Sequence, residues 1–180
     1  MQRSTTPRSS TATSAARAPR LRHINHPIAL LRILSVEAGI HDPDVLTAAV
    51  LHDVIEDCSG KDQEFIEQRR AEIGKGFGKR VLALVEAVTD DKSLPKEQRK
   101  AAQVEHAAHL PRKAKLVKLA DKTANIRDIA RCPPLSWEPK RITAYFEWAA
   151  AVVGAMRGTD AKLEGLFDAA LASAMAARGR

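Results

Sequence analysis

Aromatic side chains are scarce in this 180-residue sequence, where tryptophan, tyrosine and phenylalanine together make up 4%. With 44% of residues apolar and alanine and leucine abundant, the core has to be built from interlocking aliphatic side chains, which favours helices. No segment alternates apolar and polar residues like a half-exposed strand, and no internal repeat is evident. Cysteine is nearly absent. Cys58 and Cys132 lack CxxC spacing, which excludes a disulfide framework or a zinc knuckle made by cysteines alone and fits a reducing cytosol. No apolar run approaches the roughly 18 residues of a membrane span, and the N-terminus has no apolar signal core. The expectation is a soluble cytoplasmic protein with no membrane partner. Gly74, Gly76 and Gly78 follow no strand and lack both the Walker lysine and the dinucleotide spacing, so they are not a phosphate loop.

The formal charge of +7 suggests a nucleic-acid partner until its location is considered. The five arginines among residues 1 to 22, with no acid beside them, leave the rest of the chain at only +2. No nucleic acid is therefore required, although local basic groups can still line a pocket for a polyanionic small molecule. Residues 1 to 22, rich in Ser, Thr, Ala and Arg, read as a flexible basic arm; an organellar transit peptide or a leader has the same composition. Residues 23 to 180 form one domain with a well-filled core.

The apolar spacing from Ile28 to Ala38 predicts a helix after Pro27, stopped by Gly39. Asp42 caps a second helix, with Pro43 in its first position, that runs to about Asp57. A polar helix over 63–73 ends at the three glycines and an apolar one follows over 81–88. Helices are predicted from Pro95 to His109 and from Pro111 to just before Pro133, then near 137–157 and 160–177. The fold class is all-α, a compact single helical domain.

The segment His52-Asp53-Val54-Ile55-Glu56-Asp57 places four ionisable residues at the end of an otherwise apolar helix. His52 and Glu56 are four residues apart, as are Asp53 and Asp57, so on a helix their head groups form two adjacent rows. Unpaired charges beside Ala-Ala-Val-Leu are costly to bury, and a bland solvated helix end explains one or two of them better than four. His26 stands next to Pro27 at the entrance of the first apolar helix, and Asp121 interrupts the apolar stripe Leu116-Val117-Lys118-Leu119-Ala120. Alone, either would be a cap or a satisfied core residue.

Taken together, a histidine, then His-Asp, then a distant Asp resembles the ligand order of the HD-domain phosphohydrolases. His52-Asp53-x-x-Glu56-Asp57 is similar to the form found in the alarmone hydrolases. Asn25-His26-Pro27-Ile28, Val88-Thr89-Asp90-Asp91-Lys92, Lys115 to Lys122 and Tyr145-Phe146-Glu147-Trp148-Ala149 extend the likeness to the single-domain alarmone hydrolases related to the SpoT hydrolase half, over residues 23 to 160. The resemblance implies an HD-domain fold in which His26, His52, Asp53 and Asp121 bind one divalent metal, usually Mn2+. Two imidazoles and two carboxylates would also accept iron or zinc. It implies that Glu56 and Asp57, taken as a pair, orient or deprotonate the attacking water. Asn125 would contact the nucleotide sugar, and Lys96, Arg141 and Tyr145 would face phosphates.

The activity implied is removal of pyrophosphate from the 3′ position of guanosine tetra- or pentaphosphate, a small-molecule substrate, by a stand-alone hydrolase. One rival is a hydrolase of another phosphorylated nucleotide, such as NADPH, on the same centre. A second rival is a catalytically dead alarmone-binding module. The sequence also departs from the resemblance. Relatives carry an amphipathic helix ending in Arg-Lys before the Asn-His-Pro segment, whereas Ala15 to Arg22 predicts no such helix, and Thr123 and Ala124 stand where larger residues are usual.

Overall fold

The computed structural model describes residues 18–58 and 63–178, with side chains from Ile24 onward except at Cys58. Within them the chain forms eight α-helices and no strand: α1 (Ala18–Leu31), α2 (Pro43–Leu51), α3 (Gln63–Phe77), α4 (Lys79–Val88), α5 (Lys96–Ala107), α6 (Arg112–Arg131), α7 (Pro139–Gly154) and α8 (Ala161–Ala176). The all-α expectation holds. Apart from the start of α1, the expected arm lies outside the described residues.

Helix α6 is the axle. Leu116 through Ala124 are buried without interruption, as is Ile126, and α8, α2, α4, α1 and α7 all pack against this helix. A helix covered on every side has no solvated face, so its polar members, Lys118, Asp121, Lys122 and Thr123, have to find partners inside. Thr123 donates to the Leu119 carbonyl at 2.8 Å, and the other three are drawn into the site described below. Phe146 of α7 and Phe167 of α8 are the largest fully buried side chains, in a core otherwise almost wholly aliphatic.

Several boundaries differ from the sequence reading, each for a local reason. Helix α1 opens at Ala18, so a helix does precede the Asn-His-Pro segment, and Pro27 lies inside it rather than at its entrance. The proline removes one main-chain donor, and the helix widens into a π-helical segment, Arg32–Ala38, before Gly39 ends it at φ 77°. His26 consequently sits one turn before Leu30, which is fully buried, on the inward face of α1.

The expected extension of α2 to Asp57 does not form, and the helix stops at Leu51. The Nδ1 atom of His52 bonds the Ala49 carbonyl at 2.9 Å, and the following chain tightens, with Val54 N–H donating to the Leu51 carbonyl at 3.0 Å. A short 3-10 turn, Glu56–Cys58, follows. Gly74 and Gly76 do not break α3. A side chain at Gly74 would press on Leu82 of α4 at 3.3 Å, so the glycine lets the two helices approach; only Gly78, at φ 90°, ends the run.

Candidate metal centre and cleft

Helices α1, α2 and α6 bring His26, His52, Asp53 and Asp121 to one point. Ligand atoms of His26, His52 and Asp53 all lie within 4.8 Å of one another. Asp121 Oδ1 lies 3.2 Å from His26 Nε2 and 3.9 Å from His52 Nε2, and the two imidazole rings are 5.1 Å apart. Divalent ions of this class bind N and O donors at about 2.0–2.2 Å, so opposite donors stand about 4 Å apart and the spacing here needs little closure.

The decisive atom is His52 Nε2. A carbonyl can only accept, so the Ala49 contact puts a hydrogen on Nδ1 and leaves Nε2 of the neutral ring as a lone pair. That buried atom has no hydrogen bond, yet it lies 3.0 Å from Asp53 Oδ1 and 3.9 Å from Asp121 Oδ1. A lone pair aimed at two carboxylates requires a cation between them, either a proton or a metal. Burial alone would lower the His52 pKa, but the carboxylates of Asp53 and Asp121 outweigh it and the imidazole is raised above its ordinary value. The donor set therefore fits a divalent ion, with Ala49 orienting one ligand from behind.

Asp121 is the best-supported member. Its Oδ1 also accepts from Asn125 Nδ2 at 2.6 Å, and its Oδ2 accepts from Lys122 Nζ at 3.0 Å. Burial would raise this carboxyl, but Lys122 and the two histidines hold it well below the usual range. Burial likewise disfavours the charge on Lys122, and Asp121 reverses that, raising the ammonium pKa above its ordinary value.

These groups wall a cleft of about 240 Å3 together with Glu56, Asp90, Gln103, Lys118, Tyr145 and Trp148. Burial and the nearby Asp90 raise Glu56 above the usual glutamate value, against the pull of Lys92, whose Nζ is 3.4 Å from its carboxylate. Burial pushes Tyr145 up to about 12, so it remains a donor at neutral pH. A larger cavity of about 530 Å3 shares Glu56 and Asp90 and opens toward Arg70, Glu86 and Lys92. The converging donors lie in the smaller one.

Of the residues singled out from sequence, the cleft gathers His26, His52, Asp53, Glu56, Asp121, Asn125 and Tyr145. Asp57 is exposed on the 3-10 turn and is not among the residues that wall it. Lys96 and Arg141 are exposed in the first turns of α5 and α7, with Arg141 stacked 4.3 Å from the centre of the Trp137 ring. Sequence reasoning gave no role to Lys118, Lys122, Asp90, Gln103 or Trp148. Lys118 Nζ bonds the Val88 carbonyl at 3.0 Å and Asp90 at 3.2 Å, and Gln103 donates to the other Asp90 oxygen. A signal was present, since Lys118 and Lys122 are four residues apart inside an apolar stripe, where unpaired ammonium groups are not tolerated.

The sequence profile of the HD domain matches residues 9–144. The chain belongs to the HD-domain family. Among HD-domain relatives, it is 51% identical over 146 residues to the Xenopus tropicalis protein named guanosine-3′,5′-bis(diphosphate) 3′-pyrophosphohydrolase MESH1, spanning 81% of this chain and 77% of that one. The Homo sapiens protein of the same name is 51% identical over 142 residues, with 79% and 75% coverage. In structure the chain matches a metazoan ortholog of SpoT, described as hydrolysing ppGpp, with a TM-score of 0.75 and 45% identity over 84% of this chain and 80% of that one.

Proposed function

We propose that this HD-domain protein is a metal-dependent guanosine-3′,5′-bis(diphosphate) 3′-pyrophosphohydrolase, converting (p)ppGpp to GDP or GTP and pyrophosphate. The observation that carries the reading is the buried His52 lone pair facing two carboxylates, in a chain 51% identical over 142 to 146 residues to relatives bearing that name. His26, His52, Asp53 and Asp121 would hold one divalent ion, Mn2+ in our reading, with iron or zinc as substitutes of similar ligand preference. When bound, the ion supplies Lewis acidity and lowers the pKa of water.

The remaining work falls to side chains. Water oxygen must bond to phosphorus, the bond from phosphorus to the ribose O3′ must break, and O3′ must leave with a proton. Glu56, on the cleft wall, would orient that water and take its proton, with Asp57 as the second member of the acidic pair. Its raised pKa brings it closer to a base useful near neutrality. Lys118 and Lys122 supply fixed positive charge, and Asn125 and Tyr145 offer an amide and a hydroxyl to the sugar and phosphates. Lys96 and Arg141 would join only by reaching in from the rim, as long cationic side chains can.

A panel of (p)ppGpp, NADPH and other phosphorylated nucleotides, assayed with Mn2+ for phosphate and pyrophosphate release, tests the proposal. Pyrophosphate released from (p)ppGpp with the highest kcat/KM is the expected result. Preferred release of phosphate from NADPH, or tight alarmone binding without turnover, would replace it.

A further inference from the structure

Tyr145 and Trp148 wall the cleft with ring centres 5.3 Å apart, and Trp137 packs on Tyr145 at 5.6 Å. Trp148 is anchored by its indole N–H, which donates to the Lys100 carbonyl at 3.1 Å. Its ring face lies 4.6 Å from Lys122 Nζ. Lys122, only 5% exposed, is thus held between a ring on one side and Asp121 Oδ2, 3.0 Å away, on the other. A desolvated ammonium is attracted to an indole face, and breaking a buried ion pair is costly because it leaves an unpaired charge inside the protein. This lysine is therefore not free to swing away.

Asp121 is divided as a result. Oδ1 faces His26 and His52, while Oδ2 is taken by Lys122. We propose that Lys122, braced by Trp148, is a positioning residue that makes Asp121 offer a single oxygen to the bound ion, keeping a coordination position open for water or substrate. The inference rests on the metal-centre reading above. A carboxylate with both oxygens free can chelate, as carboxylates do around many divalent ions. Chelation would consume the open position that separates a catalytic metal site from a closed structural one.

The test uses Mn2+ itself as the probe. Water-proton relaxation of the Mn2+-loaded full chain counts exchangeable waters on the ion, and a direct titration gives its affinity. In Lys122→Met, whose unbranched side chain fills similar space, Mn2+ should bind at least as tightly as in the parent. The ion should carry about one water fewer, and kcat should fall on the order of tenfold or more with little change in KM. Trp148→Leu, which keeps the lysine but removes its brace, should lose hydration partway, and Trp148→Phe should restore it; these variants also serve if Lys122→Met does not fold. Unchanged hydration in both Lys122→Met and Trp148→Leu, or weakened Mn2+ binding with hydration intact, would overturn the proposal and leave Lys122 as packing. A parent chain that binds no Mn2+ would instead sink the metal-centre reading.

Discussion

The two sides of the cleft are built differently. On the α6 side Asp121 meets His26, Asn125 and Lys122, and buried Lys118 ties half-buried Asp90 and Gln103 into a second network one turn away. On the α2 side the chain has already left the helix. The Asp53 side chain is 47% exposed, Asp57 is exposed, and Glu56 is held mainly by Lys92, which also bonds its carbonyl at 2.8 Å. The first wall is complete before any ion or substrate arrives, while the second is a turn with room to adjust. In the proposed reading the fixed wall supplies the ion with Asp121, while the adjustable wall supplies Asp53 to the ion and Glu56 to the moving proton.

The largest expected effect comes from striking the rigid wall. Asp121→Asn keeps the shape but leaves Lys122 a buried cation without its counter-charge. The cost is about 3–5 kcal/mol, or a drop in Tm of roughly 6–20 °C for a domain of this size. Mn2+ binding and turnover should be lost with it. Calorimetry and metal titration on one preparation check both; a stable, metal-binding Asp121→Asn protein would erase the contrast.

Asp53→Ala tests the other wall. Turnover should fall by a factor of about 10³ or more, but the carboxylate is half-exposed and Asp121 still faces buried His52, so stability should move by about 1 kcal/mol or less. If Asp53→Ala proves as destabilising as Asp121→Asn, the two walls are equally rigid.

The same contrast governs how much of the molecule was legible from its sequence. Helices α2, α4, α5, α6, α7 and α8 were readable from apolar spacing, the Asp42 cap and the prolines, because those signals are local. The chemistry-bearing segment was legible as composition but not as geometry. Four ionisable residues on a continuing helix would form two rows, whereas the bond from His52 to Ala49 and the unwinding after Leu51 place Glu56 on the cleft wall and Asp57 outside it. Lys122 drew no role from sequence because Trp148, the ring it lies against, reaches it from another helix. The spacing of Lys118 and Lys122 shows that they need partners, but not which residue of another helix supplies them.

Glu56 and Asp57 separate in the next smaller effect. Glu56→Gln should reduce kcat by about 10²-fold and Asp57→Asn by less than about tenfold, since only the former carboxylate walls the cleft. Glu56 also has a pH signature in the metal-free protein. Its folded pKa lies above the ordinary 4.5, so the folded state binds the proton more tightly than the unfolded one does. The parent should therefore lose stability as pH rises from 4.5 through the raised value, and Glu56→Gln should remove that slope. Equal kcat losses in the two variants would mean that the turn closes both carboxylates onto the substrate.

The smallest effect lies at the far end of α2 and asks whether the reactive turn depends on the helix that delivers it. Asp42 accepts from the Asp44 and Val45 amides at 3.0 and 3.2 Å and pairs with Lys113 Nζ at 2.7 Å. The Lys113 bond, helped by those amides, lowers its carboxyl below the ordinary 3.8. A carboxyl depressed in the fold stabilises above its unfolded pKa and ceases to do so as pH falls through the folded value. Asp42→Ala should thus cost about 1 kcal/mol at pH 7, a few degrees in Tm, and its deficit should close as the solution becomes more acidic than the usual carboxylate range. Turnover should stay at the parental rate, because His52 is fixed by Ala49 and by its neighbours on α1 and α6 rather than by the start of its own helix. A fall in kcat with Asp42→Ala would show that the adjustable wall takes its shape from the whole of α2.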